Sequence, residues 1–301
     1  MAARATRSAS GAASSSDDAS RCLLLALSHD ELGVIVDGLA DPLQPVVAVA
    51  LSSTCLGLRT PLRPALEVLK ERHEKAKALC DKLNSRRYIG MSEVILAELP
   101  RATVLNWVSR HLTADDMATL GMITSGMPML RELLLIDNGF GDPGTTAMCQ
   151  GLPSLKSLDL GCNKLGPVGA EALAAALHRG ALLNLEKLAL YGNPIGSEGV
   201  AALAKVLRRA PALLSLKLSI CKLGDDGVAM LLKDLSKDDF KTLQVLDLEN
   251  NDVTIASATL IASAIERGML PDLAQVRVRH GKLDGIVYAA LDRRGARKLL
   301  E

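Results

Sequence analysis

Cysteine and histidine are the residues of this chain whose chemistry would be simplest to recognise. The six cysteines stand at positions 22, 55, 80, 149, 162 and 221, and the five histidines at 29, 73, 111, 178 and 280. They form no CxxC pair and no Cys/His cluster with the spacing of metal ligands. Isolated cysteines of this kind are typical of reduced, mostly buried thiols in an intracellular protein. We therefore expect neither a metal nor a cofactor.

The sequence also lacks the motifs of familiar catalytic sites. It contains no GxSxG, HExxH, Walker-type or GxGxxG segment. Lys and Arg number 35 against 34 Asp and Glu, so no global field favours nucleic acid. No run of 18 apolar residues occurs, which argues against a membrane span. The sequence predicts a non-enzymatic protein of the cytoplasm, with the nucleus as the alternative, that binds neither nucleic acid nor membrane.

The sequence contains an internal repeat, which must position the binding surface of this protein. Blocks of 25 to 30 residues begin at Leu130, Leu155, Leu185, Leu213, Leu243 and Leu273. Each block continues with an apolar-x-apolar pair, and five blocks then place Asn or Cys at one position: Asn138, Asn163, Asn193, Cys221 and Asn251. Two recurring glycines and a pair of apolar residues four apart complete most blocks. This much agreement predicts a repeat architecture.

The chemistry of each repeated position predicts its structure. Apolar residues two apart point to one face of a short strand, whereas apolar residues four apart lie on one face of a helix. The asparagine can donate from its amide to backbone carbonyls of the turn, and Cys221 can replace it as a weak S–H donor. The glycines allow a tight turn into the helix. Because one strand–helix unit cannot bury its own apolar face, the units must stack.

The consensus resembles leucine-rich repeats of the ribonuclease-inhibitor type, which also occur in NOD-like receptors. The segments Leu158-Asp-Leu160-Gly-Cys-Asn163-Lys-Leu165-Gly166 and Leu188-Ala-Leu190-Tyr-Gly-Asn193-Pro-Ile195-Gly196 carry the resemblance, which extends over about residues 102–301. It implies an α/β solenoid, a horseshoe with a parallel sheet on the concave side and helices on the convex side. Both ends depart from the consensus, as terminal capping units do. In the first unit Arg110 replaces the asparagine.

The concave sheet is the predicted binding surface for a protein partner, because side chains between the buried leucines point outward. The residues that we expect to contact the partner are Glu132, Asp159, Lys187, Tyr191, Lys217, Asp247, Glu249, Arg277 and Arg279. Their charges alternate in bands along the arc, which suits a protein of mixed charge better than a polyanion. Tyr191 is the best single anchor candidate, since exposed aromatic residues often carry interface energy. The alternative is that these residues are only solvated and the partner uses a rim.

A different pattern, of plain helices, occupies residues 21–86. The capping box Ser28-His-Asp-Glu31 precedes an apolar stripe formed by Leu32, Ile35, Val36 and Leu39. A second helix is expected from Val46 to about Leu58. Pro61 and Pro64 are expected to precede a third helix, whose stripe contains Leu66, Leu69, Leu79 and Leu83.

The segment from Leu27 to Arg59 resembles an F-box, a helical motif that docks onto the Skp-type adaptor of cullin ubiquitin ligases. The resemblance rests on Leu27-Ser-His-Asp30, the stripe Leu32, Ile35, Val36 and Leu39, then Pro42 and Cys55-Leu-Gly-Leu58-Arg59. It implies that the stripe binds the adaptor and that the protein is the substrate-recognition subunit of such a ligase. The alternative is a stand-alone scaffold or inhibitor whose helices only cap the first repeat. The predicted organisation is a disordered tail over 1–20, an all-α segment over 21–86 and about six to seven repeats over 87–301.

Overall fold

A computed structural model describes residues 41–45, 49–50, 56–85, 93–180, 183–278 and 282–295. By its internal contacts the chain forms two compact units, residues 1–71 and residues 72–301. The predicted tail over residues 1–20 lies outside the described residues. The predicted boundary between residues 86 and 87 stays a prediction.

Short strands alternate with helices along the described part of the chain. The strands are β1 Val104–Asn106, β2 Glu132–Leu134, β3 Ser157–Asp159, β4 Lys187–Ala189, β5 Ser215–Lys217, β6 Val245–Asp247 and β7 Gln275–Arg277. The helices are α1 Leu56–Ser85, α2 Ala114–Ile123, α3 Gly141–Met148, α4 Pro167–His178, α5 Gly196–Leu207, α6 Gly224–Leu232, α7 Ile255–Glu266 and α8 Lys282–Arg294. Short 3-10 helices lie at Leu96–Arg101 and Thr124–Gly126.

In the described residues, seven strands form one parallel sheet in sequence order, from β1 to β7. The central apolar residues of the strands pair in register: Leu105, Leu133, Leu158, Leu188, Leu216, Leu246 and Val276. Parallel strands need a crossover, and here a helix or helical turn supplies each one. The predicted α/β solenoid is therefore confirmed.

The core is an aliphatic layer between the sheet and the helices. The strand leucines and the apolar stripe of each helix are almost completely buried, as Leu188 and Leu190 in one unit and Leu203 and Leu207 in its helix show. Side chains alternate along each strand, so the residues between these leucines point to the opposite side of the sheet. Below, that side is called the sheet face.

The predicted asparagine ladder is present and runs between neighbouring units. The Oδ1 atom of Asn163 accepts from the backbone N–H groups of Asn138 and Gly139, at 2.9 and 3.0 Å. Its Nδ2 atom donates to the carbonyls of Leu135 and Leu160 at 2.9 and 3.0 Å. Asn138, Asn193 and Asn251 repeat this arrangement. Because these turns are buried, each amide satisfies groups that water cannot reach.

The two recurring glycines serve different purposes. The first adopts a positive φ in three units, for example 67° at Gly196, which an L-residue rarely adopts. The second lies too close to its own turn for a side chain. A Cβ atom on Gly144 would come within 2.6 Å of the Phe140 Cβ atom, and one on Gly199 within 2.6 Å of the Ile195 Cγ2 atom. The glycine pattern is thus explained by backbone geometry.

Both ends of the stack of repeats are covered by residues outside the consensus. At the first repeat, Arg110 is buried and its Nη1 atom donates to the Leu83 carbonyl of α1 at 2.7 Å, while Lys82 forms an ion pair with Asp116 of α2. At the last repeat, the Asp284 carboxylate accepts the Val278 N–H group at 3.1 Å. These contacts satisfy polar groups at the two outer edges of the described repeats.

Arginine side chains of α8 also cover the last repeat. Arg294 donates to the carbonyls of Leu270 and Leu273, and Arg293 forms an ion pair with Glu266 at 2.5 Å. Val287 and Leu291 of α8 are fully buried.

Helix α1 differs from the sequence-based expectation. It begins at Leu56 and continues through Pro61 and Pro64, instead of starting after them. Each proline removes one backbone donor, but the remaining turns of this 30-residue helix keep theirs. Within the expected stripe, Leu69, Leu79 and Leu83 are buried and Leu66 is half-buried.

Candidate protein-binding surface

The sheet face presents two or three side chains from each strand. Lys187 of β4 and Lys217 of β5 are exposed, as is Glu132 of β2. Asp159 and Tyr191 are half-buried. Among the described residues, neither Lys187 nor Lys217 forms an ion pair within 4.0 Å. These two cations are consequently available to groups on another molecule.

Tyr191 lies across the middle of the sheet face. A Cβ atom on Gly161 would come within 2.4 to 2.7 Å of three atoms of the Tyr191 ring, so the ring covers the Gly161 backbone. Burial, with smaller contributions from the neighbouring Asp159 and Cys162, raises the pKa of Tyr191 to about 12. Tyr191 therefore stays protonated at neutral pH and offers a flat ring and a hydroxyl donor.

Asp159 occupies the most desolvated acidic position near this ring. Its Oδ1 atom accepts the Gly161 N–H group at 2.9 Å. Burial raises the pKa of the Asp159 carboxyl, while the Gly161 hydrogen bond and the positive charge of Lys217 act in the opposite direction. Ala189, between Asp159 and Lys217 in the sheet register, is small. The centre of the sheet face thus combines a carboxylate, a cation and an aromatic ring.

The C-terminal part of the sheet face is less open than the sequence predicts. The side chain of Asp247 is only 11% exposed, and its Oδ1 atom accepts the Glu249 N–H group at 3.1 Å. Arg277 approaches the other Asp247 oxygen at 3.9 Å and remains exposed. Asp247 therefore orders the turn and faces Arg277. Glu249 and Arg277 are the more accessible charges there.

The repeats are similar to those of known proteins. A family model described as "Leucine Rich repeat" matches residues 151–174 and 181–204. The ribonuclease inhibitor of Sus scrofa is 31% identical over 186 residues, which cover 51% of this chain and 40% of that protein. "NACHT, LRR and PYD domains-containing protein 3" of Macaca mulatta is 28% identical over 211 residues, covering 60% of this chain and 20% of that protein.

This chain contains leucine-rich repeats. It spans less than half the length of these two relatives. One chain of a solved structure of the yeast Rad7 and Elc1 complex is also similar, at 18% identity and a TM-score of 0.32. The match covers 82% of this chain and 78% of the chain in that complex.

Several predicted site residues lie outside the described residues. They are Leu32, Ile35, Val36 and Leu39 of the proposed adaptor-binding stripe, and Arg279 of the sheet. Their predicted contacts stay predictions.

The cysteines in the described part of the chain are free thiols. Cys80, Cys149 and Cys221 are buried, and Cys162 is exposed. Burial raises the pKa of Cys149 and of Cys221 to about 12, so neither thiol ionises at neutral pH. Among the described residues no group of three His, Cys, Asp or Glu side chains is placed to hold a metal ion. No helix there is long and apolar enough to cross a membrane.

The predicted set omitted Ile220 and Lys222, the turn residues after β5. Both are exposed and have φ values of 56°. The sequence did contain a signal, because the residues aligned with Ile220 in the neighbouring repeats are Gly192 and Asn250, which tolerate positive φ, whereas isoleucine does not.

Proposed function

We propose that this leucine-rich-repeat protein is a non-enzymatic interaction module that binds a protein partner on its sheet face. The observation that carries the proposal is the centre of that face. There Tyr191 and Asp159 share the parallel sheet with two cations, Lys187 and Lys217, that form no ion pair with any described residue. The parallel strands fix the spacing of these residues before binding, which lowers the entropic cost of association. Charges of both signs favour a protein over a uniform polyanion.

The relatives support the general proposal only. One of them is named a ribonuclease inhibitor, a name that implies binding to another protein. We therefore expect the leucine-rich repeats of this chain to bind a protein, without assigning it the same target.

A blocking substitution in the full-length protein tests the proposal. Ala189→Arg would place a long cation in the centre of the sheet face, and Ala175→Arg places the same side chain on the exposed side of α4. Each variant and the wild-type protein would capture partners from cells of the source organism, with quantification by mass spectrometry. We expect at least one protein to be lost from Ala189→Arg and retained by Ala175→Arg. Equal capture by both variants would contradict a sheet-face site.

Adaptor docking by the F-box-like segment is the finer proposal, with the protein as a substrate-recognition subunit of a ubiquitin ligase. It rests on the sequence resemblance of residues 27–59. The test is co-purification of a Skp-type adaptor with the full chain and with an Ile35→Asp/Leu39→Asp variant. Retention by the wild-type chain alone supports the ligase role. If the wild-type chain also fails to bind, the protein is a scaffold or inhibitor.

A further inference from the structure

Strand β1 is one of the two outer strands of the described sheet, with β2 on one side of it. The Thr103 carbonyl accepts the first N–H group of β2 at 3.1 Å, and the Trp107 N–H group donates to the Leu134 carbonyl at 2.9 Å. Because the backbone groups of alternate residues point to opposite sides of a strand, those of Val104 and Asn106 point away from β2. No described residue forms a hydrogen bond with these outward N–H and C=O groups.

The outer strand at the other end of the sheet, β7, is flanked by helix α8. The Asp284 carboxylate accepts the Val278 N–H group just after the strand, and Arg294 donates to two carbonyls just before it. At β1 the contacts of α1 are made with Arg110 and Asp116, which lie beyond the strand, in the turn and the helix that follow it. The described residues therefore leave the backbone edge of β1 open.

A cavity of about 620 Å³ lies against this edge. It is lined by all three residues of β1 and by residues of the segment 93–102. Leu99 and Trp107 supply buried apolar surface, whereas Ile95 and Val104 of the same lining are exposed. Ligand sites commonly have volumes of about 300 to 1,000 Å³, so this cavity has room for apolar side chains.

Strand β1 has none of the features that usually prevent an outer strand from pairing with another chain. Charged side chains and prolines serve that purpose, but β1 has the sequence Val-Leu-Asn. A polypeptide backbone presents donors and acceptors at the spacing of a strand, which makes it the matching occupant. The exposed charges that line the cavity, Glu93, Glu98 and Arg101, are of both signs, which disfavours a polyanion.

We infer that the open edge of β1 binds an extended segment of a partner protein as an additional strand of the sheet. This surface is distinct from the sheet face, and it recognises its partner chiefly through the backbone. The N–H and C=O groups of the segment pair with those of Val104 and Asn106. Because side chains alternate along a strand, every second residue of the segment lies on the helix side, where an apolar side chain would pack against Leu99 and Leu105.

The protein variant for the test is Asn106→Pro in the full-length chain. Proline removes the N–H group of residue 106, which the sheet does not use, so the pairing of β1 with β2 should persist. Ser197→Pro is the matched control. It places a proline in the first turn of α5, as Pro167 stands in the first turn of α4, and that position tolerates proline.

The wild-type protein would select ligands from a phage-displayed library of random peptides, after removal of phage that bind Asn106→Pro. Selected peptides would be synthesised and their affinities measured for the wild type, Asn106→Pro, Ser197→Pro and Ala189→Arg. A second series of each peptide would carry one N-methyl group on each backbone amide in turn. This series needs only the wild-type protein, so it tests strand pairing even if Asn106→Pro is unstable.

We expect peptides with apolar residues at alternate positions. Asn106→Pro should weaken their binding about tenfold or more, because a hydrogen bond is lost and the proline ring blocks the edge. Ser197→Pro should leave the affinity unchanged. N-methylation should abolish binding at every second amide and be tolerated at the amides between, because only every second amide faces β1.

Three results would overturn the inference: no enriched peptide, sensitivity to N-methylation without alternation, or self-association of the wild type that Asn106→Pro abolishes. The last result would show that a second copy of this chain occupies the edge. Ala189→Arg separates this inference from the sheet-face proposal, since residue 189 lies three strands away from β1. Peptides that lose affinity for Ala189→Arg and not for Asn106→Pro would refute the β1 edge alone.

Discussion

Asn193 and Cys221 occupy the same position in neighbouring repeats but satisfy different backbone groups. The Asn193 amide accepts from two N–H groups and donates to the carbonyls of Leu160 and Leu190. The Cys221 Sγ atom lies 3.2 Å from the Leu190 carbonyl oxygen, and as a thiol it is only a weak donor and acceptor. Cys221 therefore does not replace all the hydrogen bonds that an asparagine makes at this position.

Pro194 explains why a thiol is tolerated at position 221. Proline fixes φ near −65°, so it cannot adopt the positive φ of the equivalent residues Lys164 and Lys222. The N–H group of Ile195 instead donates to the carbonyl of Asn193 in its own turn, at 2.7 Å. The next repeat is therefore not required to supply an amide oxygen for Ile195, and a residue without one can stand there.

This difference predicts unequal costs of truncation. Asn193→Ala should lower the free energy of unfolding by about 4 kcal/mol, because several buried backbone groups lose their partners at about 1–3 kcal/mol each. Cys221→Ala should cost about 1 kcal/mol, because it removes only weak contacts of a thiol. Urea unfolding of both variants measures this. Equal losses would show that Cys221 substitutes fully for asparagine.

Asp225 links one repeat to the next through its carboxylate, and its charge makes that link dependent on pH. It accepts from the Thr254 N–H group at 2.9 Å and from the Thr254 and Ser257 hydroxyls. The Ser257 and Thr254 hydrogen bonds lower the pKa of Asp225 to about 2. Because this pKa is below the ordinary 3.8, the stabilisation is present above that value and is lost as the pH falls towards 2.

Asp225→Asn should therefore remove part of the acid sensitivity. We expect the melting temperature of the wild type to fall more between about pH 5 and pH 2 than that of Asp225→Asn. Calorimetry across this range provides the measurement. Asp226 is exposed in the same turn, and the corresponding variant Asp226→Asn is the control. Parallel curves for all three proteins would contradict the assigned role.

The strands and helices were predictable from the sequence where the repeat period is regular. Leu158, Leu188 and Leu216 have the predicted phase and register, because alternation with a period of two permits only one buried face. The start of α1 was not predictable, since prolines usually precede a helix and here Pro61 and Pro64 lie within one. For the secondary-structure elements, the sequence therefore predicts the periodic packing well and the position of an individual helix end less well.

Helix α8 should stabilise chiefly the repeats next to it. Leu291 is fully buried, so Leu291→Ala should cost about 3 kcal/mol in that region. Because each repeat contacts only its neighbours, amide hydrogen exchange should accelerate in β6, β7 and α7 and change little in β2 and β3. Uniform acceleration throughout the sheet would show instead that the repeats unfold as one unit.

At the scale of the whole molecule, the position of the candidate site followed from the fold but its detailed shape did not. The sequence predicts that Lys187, Tyr191 and Lys217 share one side of the sheet, because strand alternation determines it. It did not reveal that Asp247 is shielded or that Tyr191 covers Gly161, since both depend on side-chain contacts between repeats.

Photo-crosslinking from defined positions tests whether a protein partner binds the sheet face. A photoreactive phenylalanine analogue would replace Tyr191 on the sheet face or Val168, which is 62% exposed on α4. The full-length proteins would be illuminated in cells of the source organism and their adducts identified. We predict a discrete protein adduct from position 191 and none from position 168. An adduct from position 168 alone would place the binding surface on the helices and contradict a sheet-face site.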